Sequence, residues 1–413
     1  MENLRERIVR ALIEGRIIKS TIGKAIRYPI HFIDGLIGDI FINLYMASIP
    51  VNDRKILFKS FQGEYTCNPK YICEHVMKRY KDYEIVWVHN SEQNGEKSDA
   101  TFPAGVRVVE NETLSFYREL ASSKYIIINS YLARFRKVKV HLKKNQVLVE
   151  TWHGSLGIKR LIRVNEDKFW LSAMRHTAKM TKYAISNSKF ETMVYKDTFW
   201  KDSQIVELGH PRNDILFRVE EHALIKRKVY EKYGIPLDKK LILYAPTYRI
   251  PCNIENYDID IPSVIKELEK KWGGDWVFGV RFHPTIRQYS DNILHNCANN
   301  IVDLTYYVDM QEILIAADAA MSDYSSWMFD YILLGRPCFI FARDIERYKK
   351  TRGLYYPLEE TPFDIAKSNA ELCSNIESFS QEKYNQKIQD FLQGKGCVER
   401  GNASDLICRI LKL

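Results

Sequence analysis

Short apolar runs alternate with longer helical stretches from residue 54 to the end of the chain, and this alternation limits the fold more than any other feature. Segments 55–60, 84–89, 106–109, 124–130, 146–152, 183–186 and 204–208 predict strands in a first half, with helices over 69–79 and 113–122. Segments 240–245, 276–282, 301–303, 320–323 and 337–341 predict strands in a second half, with helices near 221–233, 262–271, 309–316, 326–334 and 379–392. Apolar strands joined by helical crossovers imply parallel sheets covered on both faces. A chain of 413 residues exceeds what one hydrophobic core usually serves, and 215–238 is the natural junction. The expected fold class is therefore α/β: two Rossmann-like domains, 51–215 and 216–413, with a central crevice in which ligands meet the carboxyl ends of strands. The absence of a Gly-x-Gly-x-x-Gly or P-loop pattern argues against dinucleotide dehydrogenases and P-loop ATPases.

Residues 1–50 read differently. Arg5, Arg7, Arg10, Arg16, Lys19, Lys24 and Arg27 interleave with Ile8, Leu12, Ile13, Ile17 and Ile18, a basic amphipathic helical pattern. The apolar stretch 28–50 is long enough to cross a bilayer, yet it carries Asp34 and Asp39, each costly at membrane depth. The expectation is a helical region lying on an anionic membrane surface; the alternative is helices packed on the protein's own domains. A formal charge of +9 favours anionic partners. Nucleic acid is disfavoured, since no zinc finger or RRM-like signature is present. Eight cysteines without a CxxC or a close Cys/His cluster read as reduced thiols, which places the protein on the cytoplasmic side.

The chemistry-bearing residues sit at predicted strand ends. Ser322 to Ser326 reads as a strand end, a hydroxyl-rich turn and a helix start, where Ser325, Ser326 and nearby amides can receive an anion. Asp323 is suited to a ribose or glycerol hydroxyl, or to capping the helix. His153, between Trp152 and Gly154, can take a proton from an attacking hydroxyl. Lys159 is placed to meet a phosphate. His283, held by Pro284 and flanked by Arg281 and Arg287, can stabilise charge developing on a diphosphate. Thr247 and Arg249 offer a hydroxyl and a planar fork to phosphate oxygens. Arg212 supplies the cation of the turn 209–214, which shapes the crevice or contacts a ligand, and Arg352 closes the phosphate site late in the chain.

The ordered set 152–154, 209–214, 245–249, 281–284, 322–326 and 335–337 resembles the CDP-glycerol glycerophosphotransferase family of teichoic acid synthesis. The resemblance implies a GT-B-like enzyme attached peripherally to the cytoplasmic face of the cell membrane. Such an enzyme moves glycerol phosphate from CDP-glycerol to an undecaprenyl-diphosphate-linked saccharide or a teichoic acid acceptor and releases CMP. His153 and His283 then map onto the two essential histidines, and Arg249, Ser325 and Ser326 onto the donor-phosphate region. Thr247, Arg281, Asp323 and Arg352 join the donor side, and Lys159 and Arg212 the acceptor side. The segment 155–159 is one residue longer than the common family form, a difference that bears on the acceptor. No cofactor is required by the sequence, although solution magnesium could accompany the diphosphate, and a homo-oligomer is compatible with it. Primase and polymerase roles stay open at this point, as do a CDP-ribitol phosphotransferase, a nucleotide-sugar glycosyltransferase and a non-catalytic membrane-associated polymer-binding protein.

Overall fold

The computed structural model describes residues 38–91, 101–132, 139–162, 166–247, 259–282 and 300–413. In the first half the strands are β1 Asn52–Lys59, β2 Glu84–His89, β3 Val106–Glu110, β4 Ser123–Ile128, β5 Val147–Glu150, β6 Thr181–Ser186 and β7 Gln204–Glu207. They form one sheet in the order β3-β2-β1-β4-β5-β6-β7, with every pair parallel. In the second half they are β8 Lys240–Tyr244, β9 Trp276–Val280, β10 Ile301–Asp303, β11 Ala319–Ser322, β12 Cys338–Phe341 and β13 Asp364–Ala366. Their order is β10-β9-β8-β11-β12-β13, again wholly parallel. The two Rossmann-like sheets expected from the strand–helix alternation are thus present.

Side-chain alternation explains why both faces must be covered. Ile56 and Phe58 enter one core with Ile85, Trp87 and Ile127, while Leu57 enters another with Val86, Val88, Ile126 and Ile128. Each of these residues is buried, so at the centre of the sheet neither face meets water. In each sheet the strand order reverses next to the first strand, between β1 and β4 and between β8 and β11. Ligands of open parallel sheets gather beyond the strand ends at such points.

The carboxyl-terminal helix Ala403–Leu411 crosses back to the first sheet. Ile407, Cys408 and Leu411 join the core of Ile56 and Phe58, and the Tyr125 hydroxyl donates to the Leu411 carbonyl at 2.8 Å. At the other end, residues 38–47 are helical. Ile42 and Met46 enter the first sheet's core, Asn43 donates to the Lys139 carbonyl at 2.9 Å, and the Asp39 carboxylate accepts the Lys139 amide. Ile40, Phe41 and Leu44 point outward, exposed by 52%, 42% and 64%. Residues 1–37, including the basic amphipathic pattern, lie outside the described residues. No helix among the described residues is long and apolar enough to cross a membrane.

Because Ile407 packs at the junction of the returning helix and the first sheet, Ile407→Ala should lower stability by about 2–5 kcal/mol. Thermal unfolding followed with protease susceptibility of residues 396–413 checks this, and a loss below about 1 kcal/mol would show that the helix does not belong to that core.

Candidate active site

The loop after β5 carries His153 and is held in a costly conformation. Trp152 has φ +48°, a left-handed geometry that side-chain-bearing residues seldom adopt. Its amide donates to the Glu150 carboxylate at 2.8 Å, while the buried Asn68 amide donates to the carbonyls of both Thr151 and Trp152 at 2.9 Å. The imidazole of His153 lies between two aromatic rings, with centroids 4.2 Å from Trp152 and 5.1 Å from Phe61. Its Nδ1 is 2.7 Å from the Asn129 carbonyl. A carbonyl only accepts, so Nδ1 carries the proton and Nε2 keeps its lone pair. Burial, opposed by the Asn129 bond and helped by Arg212 and Lys159, pushes the His153 pKa down to about 4. The ring is therefore a neutral base at pH 7.

In the second half two strand-end loops are joined. The Asp323 carboxylate accepts the Thr247 amide at 2.9 and 3.1 Å, the Ser322 hydroxyl donates to the Ala245 carbonyl at 2.7 Å, and Trp327 Nε1 donates to the same carbonyl at 2.9 Å. These bonds fix the path of half-buried Ser325 and Ser326. The helix expected over 326–334 is broken into a single turn, Met328–Tyr331, and a 3-10 turn, Ile332–Leu334, ended by Gly335 in left-handed geometry. The two halves touch here: a Cβ on Gly157, in the His153 loop, would lie 3.2 Å from Ser326 Cβ.

The turn 209–214 fastens this junction. Arg212, 3% exposed, donates through Nε to Asp330 at 2.9 Å and through Nη2 to the Gly154 carbonyl at 2.8 Å. Its amide donates to Asn68 Oδ1 at 3.1 Å. One guanidinium thus ties the His153 loop to the helical turn that follows the serines. Asn213 donates to Asp330 and to Glu399, and Glu399 also accepts from the His210 amide and from Asn187, whose amide reaches Ser155 Oγ at 2.9 Å. Gly209, at φ +88°, makes room for Glu399, since a Cβ there would sit 2.8 Å from Oε2. Burial, opposed by His210 and Asn213, pushes the Glu399 pKa up to about 7. Asp214 completes the turn by accepting the amides of Ala403 and Ser404 at the start of the returning helix.

Residues 41–413 match the family model described as CDP-Glycerol:Poly(glycerophosphate) glycerophosphotransferase. The chain belongs to this family. It is 30% identical over 378 residues, 86% of the chain, to the teichoic acid poly(glycerol phosphate) polymerase of Staphylococcus epidermidis, and spans about half (50%) of that relative's length. Among solved structures it is similar to the wall teichoic acid polymerase TagF. A His→Ala variant gives a TM-score of 0.77 at 27% identity, covering 94% of this chain and 96% of that one. A His→Asn variant with CDPG gives a TM-score of 0.77 at 26% identity, covering 95% and 98%.

Of the residues that the family resemblance singles out, His153, Thr247, Asp323, Ser325 and Ser326 lie on the loops just described. Arg281 directly follows β9, and its Nη2 donates to the Tyr307 carbonyl at 3.1 Å. His283 and Arg249 lie outside the described residues. Lys159 pairs through its backbone with Leu354 as an isolated antiparallel bridge, and Arg352 Nη1 stands 3.9 Å from Glu166. Arg212, expected on the acceptor side, has its guanidinium hydrogen-bonded to Asp330 and to the Gly154 carbonyl. Sequence reasoning passed over Asn68, Asn129, Phe61, Asp330 and Glu399. Only Asn129 gave any local signal, standing at the end of a predicted strand; the others acquire their roles through partners far along the chain.

Asp330→Ala leaves the Arg212 charge buried without its partner and should cost about 3–5 kcal/mol. Replacing both partners, Arg212→Met with Asp330→Leu, should recover much of that stability while kcat stays low, because the Gly154 carbonyl has lost its donor. Recovery of stability and kcat together would show that the pair does not position the loop.

Proposed function

We propose that this chain transfers glycerol phosphate from CDP-glycerol to a hydroxyl of a lipid-linked teichoic acid acceptor and releases CMP. The observation that carries this reading is the His153 imidazole, neutral and with its lone pair on Nε2, on a loop in contact with the Ser326 loop. Family membership and the likeness to a TagF structure with CDPG supply the donor class.

The acceptor hydroxyl attacks the β-phosphorus of the donor, which bears the glycerol, and its proton passes to His153 Nε2. A bond forms between the acceptor oxygen and that phosphorus. The bond from the phosphorus to the bridging oxygen breaks, and its electron pair leaves with CMP. Ser325 and Ser326, placed by Asp323 and Thr247, stabilise the phosphoryl oxygens together with Arg249, Arg281 and His283; Arg352 closes the donor side. Fixed donors suit this role because they need no reorganisation as charge develops. On this reading 51–215 holds the acceptor at the central crevice and 216–413 holds the donor. On this reading the exposed Ile40, Phe41 and Leu44 face an anionic membrane, where the positive chain rests peripherally on the cytoplasmic face.

The test is mass spectrometry of a short lipid-linked acceptor after incubation with CDP-glycerol. Addition of glycerol-phosphate masses is expected, and His153→Ala should lower kcat by about 10²–10⁴-fold. The acid limb of the rate attributed to His153 should lie well below 6.5, because protonation is displaced toward the lower pKa of the folded protein. Transfer from CDP-ribitol or a nucleotide sugar but not from CDP-glycerol would overturn the donor assignment.

A further inference from the structure

Beside the His153 loop lies a cavity of about 380 Å³ whose lining, among the described residues, holds four cations, Arg160, Lys349, Lys350 and Arg352, and no carboxylate. This volume falls within the roughly 300–1,000 Å³ of small-molecule sites. One wall continues the His153 loop. The other is the end of the helix Ile345–Arg352. Backbone pairing fastens the walls across the two halves of the molecule: the Arg160 amide donates to the Gly353 carbonyl at 3.1 Å, and the Tyr355 amide to the Ile158 carbonyl at 2.7 Å. Gly353, at φ +75°, permits this approach, since a Cβ there would lie 3.0 Å from Arg160 Cδ. The Arg160 guanidinium rests 6.0 Å from the centre of the Tyr355 ring. Among the described residues two carboxylates flank the lining: Glu346, 3.8 Å from Lys349, and Glu166, 3.9 Å from Arg352. Among the described residues, four lining cations against these two flanking anions make the cavity attractive to an anion.

We propose that this cavity binds a phosphodiester of the acceptor, so that the growing chain is recognised by a unit already added. The inference rests on the transfer reading above and extends it from the reacting hydroxyl to the chain behind it. Arg160 follows His153 on one loop, and Gly157 of the same loop faces Ser326. An acceptor with its end at His153 and the donor at Ser326 trails its earlier units along that loop toward Arg160. A phosphodiester carries one negative charge at neutral pH and offers two free oxygens to the Arg160 fork and the lysine ammonium groups. A phospholipid headgroup presents the same phosphate chemistry. The cavity's attachment to the His153 loop favours the acceptor chain.

The test combines Arg160→Gln, Lys349→Gln and Lys350→Gln in the full chain and leaves intact Arg352, the lining cation that the transfer reading assigns to the donor. Calorimetry would measure binding of a soluble glycerol-phosphate trimer, CDP-glycerol and vesicles containing phosphatidylglycerol. The trimer should bind at least 10-fold more weakly to the variant, and binding to the unaltered protein should fall with salt. CDP-glycerol affinity should change less than 2-fold. In turnover, KM for an acceptor bearing glycerol-phosphate units should rise at least 10-fold, with kcat at saturation within 3-fold. Unchanged trimer affinity, or equal weakening of trimer and CDP-glycerol, would overturn the site. Loss of vesicle binding with trimer binding retained would assign the cavity to lipid headgroups instead. A protein that binds the trimer at this cavity yet does not consume CDP-glycerol would keep the site and remove the transfer reading, so the two fail separately.

Discussion

The buried ion pair between Arg212 and Asp330 is the contact on which the geometry around His153 depends. Arg212 belongs to the turn that leaves the first half and Asp330 to the helical turn after the serine loop, so their union joins both halves. The same guanidinium holds the Gly154 carbonyl. Removing two such charges from water is costly, and the geometry here meets that cost with several charge-assisted bonds. Asn213 and Gln311 add donors to the Asp330 carboxylate, which leaves its oxygens well satisfied in a place water does not reach. The consequence is positional: a loop that would otherwise relax from the strained Trp152 backbone is held next to the Ser326 loop.

Around His153 the protein uses burial and hydrogen bonding in opposite senses. Burial disfavours the imidazolium, whereas the Asn129 carbonyl favours a proton on Nδ1. Burial dominates, and the ring stays neutral with its tautomer chosen. The flanking rings of Trp152 and Phe61 restrict its rotation. A base held in one tautomer and one orientation is ready for an oxygen-bound proton without reorganisation. Glu399 presents the contrasting case: its carboxyl, raised to about 7, sits among amide donors from Asn187, His210 and Asn213 and links the chain's return to the first domain with Ser155 of the same loop.

The family's chemistry is organised by topology. Each sheet reverses its strand order beside its first strand, and the loops with the candidate site residues follow the carboxyl ends of β5, β8, β9 and β11. In a parallel sheet all strands point the same way, so loops distant in sequence emerge on one edge. Contact between Gly157 and Ser326, and pairing of 158–160 with 353–355, bring the loop edges of both sheets together.

Much of the fold was legible from residues 54 onward because buried parallel strands must be apolar on both faces, and runs such as Ile56-Leu57-Phe58 and Leu241-Ile242-Leu243 are recognisable without any partner in view. The positions of His153 and of the Ser325–Ser326 turn just beyond strand ends were legible too, since an apolar run stops before each. The helices Lys168–Met180, Lys189–Asp197, Ile345–Arg352, Asn369–Ser378 and Ala403–Leu411 and the three-residue β13 went unread; several are short, and the last helix is defined by the core it returns to. By itself the sequence determined the two parallel sheets, through the burial of their central strands, and the residue types at the strand ends. Only the tertiary structure decided that Arg212 holds a loop through Asp330, that Asn129 chooses the His153 tautomer and that Arg160 shares a cavity with Lys349 and Lys350. These are contacts between residues far apart along the chain, and no local pattern of hydrophobicity or charge encodes which of them will meet.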